Sequence, residues 1–178
     1  MASALCGEVA ELTSCAVSLA EGSFTDMEAR ENLIEELGDI AFYLTGIDKS
    51  DEFREPMTAE QRDRVFNGIT VKGLTNDVVD GDGDEDPTVL ISWCCDAVIA
   101  AGDLFDEVKK YTIYNKPLNR VFVEVLRLVL RNACDIVRTS RGISTAEIEM
   151  YNRAKLSARY NTLVYNDQHA HDRADKAK

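Results

Sequence analysis

Basic residues are scarce: 20 Lys and Arg stand against 32 Asp and Glu, a formal net charge of −12. A surface so negative repels nucleic acid and anionic membrane, which argues against both as partners. It leaves room for a small anionic substrate, because a bound cation reverses the field locally. No apolar run is expected to reach the length of a membrane span. The start MASALCGEVA lacks a basic segment followed by an apolar core, so no signal peptide is expected. Cysteines are odd in number (Cys6, Cys15, Cys94, Cys95, Cys134) and show no CxxC spacing. That favours reduced thiols in a cytoplasmic protein, each a small buried hydrophobe. The two histidines, His169 and His171, do not share a helix face, so a metal role for them is not expected.

The acids, in contrast, are patterned. Glu8 and Glu11 form one i, i+3 pair and Glu36 and Asp39 another. The first runs beside an apolar stripe of Leu5, Val9, Leu12, Ala16 and Leu19, the second beside Leu33, Leu37, Ile40 and Leu44. Residues three apart share a helix face, so two such helices packed antiparallel bring the four carboxylates to one place. Converging carboxylates repel unless hard cations bind between them, which points to magnesium, with manganese as its substitute. A single ExxE is commonplace on a solvated helix; two on consecutive helices are not. Gly38 inside the second helix costs about 1 kcal/mol against Ala, so close approach of a neighbouring helix or a ligand is expected there.

With 178 residues and 45% hydrophobic content, the chain is long enough for one domain with its own core. Periodicity predicts helices over 3–20, 28–47, 89–113, 118–139 and 144–158, shorter ones over 58–67 (capped by Thr58) and 166–177, and no convincing strands. Ser144 or Thr145 is the expected cap of the helix bearing Glu147. Between these helices, 48–90 reads as an insertion or linker, with a small hairpin around Ile69 to Val71. Asp80, Asp82 and Asp84 open like a calcium loop, but Glu85 stands where Gly is required and Ile91 where Glu is required. The run is therefore read as a solvated linker.

GEVAEL followed by ENLIEELGDIAFYL resembles the ExxE…ExxD signature of the MazG-like, all-α nucleoside triphosphate pyrophosphohydrolases. VKKYTIYNKPLNR, GISTAEIEMYNRAKLSARY and YNDQHAHDRADK are similar to further parts of the family pattern. The order differs from the family's. Laid over both halves, the pattern pairs Glu8 with Ala100, Glu11 with Asp103, Glu36 with Leu126 and Asp39 with Val129, while Lys109 and Lys110 fall opposite Val17 and Ser18. The expected fold is an all-α, MazG-like helical bundle with a degenerate internal repeat. Residues 1–47 would be its metal-binding half, 91–165 its phosphate-binding half and 166–178 a tail.

The resemblance implies hydrolysis between the α- and β-phosphates of a nucleotide, giving a monophosphate and pyrophosphate. Magnesium at Glu8, Glu11, Glu36 and Asp39 would neutralise the phosphates and acidify a water, with Glu35 or one of the ligands orienting that water. Lys109, Lys110, Lys116, Lys155 and Arg159 are candidate cations for the phosphates, and Asn152 and Tyr160 neutral donors. Asn152, Lys155 and Arg159, at i, i+3 and i+7, share a face. Trp93, Tyr111, Tyr114, Phe42 and Tyr43 are able to stack on a base, although helical aromatics are more often core. The tail is similar to the phage-encoded branch, which implies a purine substrate such as dGTP or GTP. Alternatives are dUTP, dCTP or a phosphoribosyl nucleotide on the same fold, or a catalytically silent helical interaction module. The apolar breadth of 118–139 predicts a homo-oligomer, a dimer or tetramer, with that helix near the interface.

Overall fold

The computed structural model describes residues 1–49 and 87–159. The expected helices over 58–67 and 166–177, the hairpin around Ile69, the acidic run at 80–84, His169, His171 and Tyr160 lie outside the described residues. Those described form five α-helices and no strand: α1 (Ala2–Ala20), α2 (Asp26–Lys49), α3 (Pro87–Thr112), α4 (Arg120–Ser140) and α5 (Thr145–Arg159). The fold is all-α.

The helix ends follow local chemistry. Glu28 accepts bonds from the Thr25 backbone N–H at 2.9 Å and the Thr25 hydroxyl at 2.7 Å, and Glu147 does the same for Ser144, at 2.8 Å each. These are reciprocal capping boxes at the starts of α2 and α5. Of the two caps expected for α5, Ser144 is the one used. Asn119 caps α4 by accepting from the Phe122 N–H. α4 stops at Gly142, whose φ of 59° is left-handed. The N–H groups of Gly142 and Ile143 reach back to the carbonyls of Thr139 and Arg138, which satisfies the last turn.

Cross-helix contacts fix the topology. Cys15 Sγ donates to the Ala29 carbonyl and Glu8 lies beside Glu36, so α1 and α2 are antiparallel. Cys6 Sγ donates to the Ala101 carbonyl while Cys15 approaches Cys94, so α1 and α3 are antiparallel too. α4 returns along α3 and closes on α2, where Arg141 pairs with Asp26 at 3.2 Å. The result is a ring of four helices in the order α2, α1, α3, α4. α5 docks outside it, parallel to α2, through Arg30–Glu147 at 2.7 Å, Asn152 on the Gly38 carbonyl at 3.2 Å and Lys155–Asp39 at 2.6 Å.

The ring is filled by Leu5, Leu12, Leu33, Ile40, Leu104 and Leu130, all buried. Each such side chain stabilises the fold by about 1.5–3 kcal/mol relative to exposure. Cys15 and Cys94 belong to this core. Burial pushes their thiols up to about 11 and about 12, which keeps them protonated and inert. The described cysteines are all free thiols.

Two expectations change here. The sequence reading found no apolar run near the length of a membrane span, but residues 88–112 within α3 pass by length and composition, through an 18-residue window of mean hydropathy 1.6. The hydropathy has an interior use: Leu90, Cys94, Ala97, Ala100, Ala101 and Leu104 are buried in the bundle. The apolar breadth of α4 is partly internal as well. Val123, Leu126, Leu130, Ala133 and Val137 face the core, while Phe122 remains 37% exposed.

Candidate metal centre

Glu8, Glu36 and Asp39 each offer a carboxylate oxygen within 4.8 Å of the other two. Opposite ligands of one octahedral magnesium ion stand about 4.2 Å apart, twice a bond of ~2.1 Å, so side-chain shifts of about a few tenths of an ångström would bring the three oxygens onto a single ion. The antiparallel pairing of α1 and α2 is the cause: it sets Glu8 level with Glu36, and Asp39 follows one turn on. The same register carries Glu11 one turn the other way, toward Leu33. Glu11 is exposed and stands outside the volume the other three share. It still acts on the cluster, as the foremost charged neighbour of Glu36.

Glu36 is the interior member, 9% exposed, and its Oε2 is fully buried without a hydrogen-bond partner. A buried polar oxygen left bare costs free energy and points to a missing ligand. Burial, together with Glu11, Glu8, Glu35 and Asp39, pushes its carboxyl up to about 8. Glu8 is also raised, first by burial and then by Asp39 and Glu11, against the opposing effects of a hydrogen bond with Glu36 and of Lys155. Carboxylates held together against their own repulsion are the donor set that a hard divalent cation requires.

Lys155 reaches this cluster from α5. Its Nζ donates to Glu35 Oε1 at 2.8 Å and to Asp39 Oδ2 at 2.6 Å, and its side chain is 6% exposed. Burial works against the ammonium, but the bonds to Asp39 and Glu35 outweigh it and raise Lys155 above the ordinary lysine range. The Tyr151 hydroxyl donates to the other Glu35 oxygen at 3.3 Å. Gly38 meets the side chains of Asn152 and Ile148 at 3.5–3.6 Å from where a Cβ would stand. The expected close helix approach is therefore present, with room for a methyl group.

The structure thus gathers Glu8, Glu35, Glu36, Asp39 and Lys155, with Glu11 beside them and Asn152 on the adjoining turn. The remaining predicted cations lie elsewhere. Lys109 and Lys110 pair with Asp106 and Glu107 on their own helix. Lys109 is about 15 Å further along the bundle axis than Glu8, at 1.5 Å per residue past the level of Ala101. Lys116 is exposed in the α3–α4 link. Arg159 ends α5, and its side chain is outside the described residues. Trp93 packs partly buried against the core, whereas Tyr111 and Tyr114 are exposed. Phe42 and Tyr43 meet edge to face at 5.4 Å.

Sequence reasoning missed Tyr151, Arg30 and the Thr25–Glu28 cap. Only the last had a local signal, the T-x-x-E spacing. A cavity of about 270 Å³ lies between α2, α4 and α5, lined by Leu37, Ile40, Leu44, Cys134, Arg138 and Ile148 among others. It opens on the far side of α2 from the acids and takes no part in the cluster. No family model, curated protein or solved structure matches this chain.

Proposed function

We propose that this chain hydrolyses a nucleoside triphosphate between its α- and β-phosphates, releasing a monophosphate and pyrophosphate. The substrate is a purine nucleotide such as dGTP or GTP, and the fold a MazG-like bundle with a degenerate internal repeat. The observation that carries the reading is the meeting of Glu8, Glu36 and Asp39, with one buried Glu36 oxygen left bare. Magnesium held by those three, with Glu11 adding negative charge, would neutralise phosphate oxygens and acidify a water. Glu35 stands beside the cluster with both oxygens held, one by Lys155 and one by Tyr151. That fixes its orientation for taking a proton from an attacking water. The Lys155 ammonium supplies positive charge beside the place where phosphate charge would develop.

A panel of ribo- and deoxyribonucleoside triphosphates with magnesium, read by pyrophosphate release, tests this. Release from purine nucleotides is expected. Glu8→Gln and Asp39→Asn should lower it by roughly a hundredfold or more while circular dichroism stays unchanged. Turnover confined to dUTP, dCTP or a phosphoribosyl nucleotide would keep the chemistry and replace the substrate. Silence on the whole panel would leave a helical interaction module.

A further inference from the structure

Asp39 carries two demands at once. One of its oxygens belongs to the volume shared with Glu8 and Glu36, and its Oδ2 binds the Lys155 ammonium at 2.6 Å. A divalent ion at ~2.1 Å from an Asp39 oxygen would stand within about 5–7 Å of that ammonium, depending on which oxygen it takes, close enough for repulsion in a partly buried setting. Lys155 also has a second seat, Glu35 Oε1 at 2.8 Å, which is outside the group of three. The side chain is enclosed, so its charge cannot be screened away by solvent.

We propose that Lys155 is the resident counter-ion of the acid cluster and competes with the divalent cation for Asp39. In the ion-free protein it holds Asp39. An entering cation takes Asp39 over, and the ammonium withdraws to Glu35. Metal affinity without nucleotide is therefore held down, and a polyanionic substrate that draws the ammonium off raises it. This rests on the reading of Glu8, Glu36 and Asp39 as metal ligands. It makes Lys155 a positioning residue that links metal binding to substrate binding. The sequence alone assigned the metal ligands to the first half and the phosphate contacts to the second, within one composite site.

The test is Mn²⁺ binding to the full chain without nucleotide, measured by calorimetry or by loss of the free-ion electron paramagnetic resonance signal. Lys155→Met, similar in length and uncharged, should bind Mn²⁺ about tenfold more tightly than the unaltered protein, since the competing charge is gone. Lys155→Arg keeps a cation and should stay near the original affinity. Arg30→Gln removes a charge from the same α2–α5 seam, away from Asp39, and should stay within about twofold. If Lys155→Met fails to fold, Lys155→Gln is read in the same way. An affinity that is unchanged or weaker in the uncharged variants, with the unaltered protein still binding Mn²⁺, overturns the inference and leaves the metal centre standing. Tightening of the same size in Arg30→Gln also overturns it, since a general field would then be the cause. Failure of both the unaltered protein and the uncharged Lys155 variants to bind Mn²⁺ removes the metal centre and the inference together.

Discussion

Burial and four neighbouring carboxylates push Glu36 in the same direction, up to about 8 from an ordinary 4.5. The sign of the consequence is fixed by linkage. Between those two values the folded chain holds a proton that the unfolded chain has released, so stability falls as pH rises through the window. The acid cluster is thus built at a cost to the stability of the fold. Glu36→Gln should relieve that cost. In chelator-treated protein at pH 9, its Tm should rise by about 2–4 °C, the equivalent of roughly 1 kcal/mol at this chain length. A Tm that falls would mean that the carboxylate makes net favourable bonds, and that its bare oxygen is not a source of strain.

Helix ends set where the cluster residues stand, and Glu147 serves two of them. The Ser144 N–H, then Arg30, then the Ser144 hydroxyl hold its carboxyl down to about 2. A depressed folded value stabilises at every pH above the ordinary 4.5, and the gain is lost as pH falls through about 2. Denaturant midpoints for Glu147→Gln should therefore lie below the unaltered protein at pH 7 and converge with it at pH 2. A gap of equal size at both pH values would reject the charge-based account. Elements of this kind were legible in the chain because 3.6-residue periodicity is a local signal. The predicted 3–20, 28–47, 89–113, 118–139 and 144–158 differ from α1 to α5 by at most two residues at each end. The i, i+3 acids were legible for the same reason. The parallel docking of α5 on α2 was not, because nothing in the spacing of Asn152 and Lys155 says which helix they will meet. Glu11 fell outside the shared volume for a related reason: spacing fixes a face, whereas the register between helices decides which turn faces which.

The whole molecule leaves apolar surface on the side of the ring away from α2. Ile99 is 63% exposed, with Val98 and Phe105 on the same helix and Phe122 on neighbouring α4 also uncovered. A charge of −12 would oppose aggregation without covering that face. A homodimer that buries it is the expected state, at twice the chain mass of 19.8 kDa by light scattering; Ile99→Asp should return the mass to a single chain. A single-chain mass for the unaltered protein at micromolar concentration would reject the dimer. Within one chain, the acids of α1 and α2 belong to adjacent helices, whereas Lys155 lies 116 residues from Asp39. Contacts between near neighbours in sequence close first, and synthesis runs from the N-terminus. The anionic hairpin is therefore translated before the ammonium that will face it. Under the proposed reading, a divalent cation would meet those acids first as a counter-ion during folding, ahead of any role in turnover.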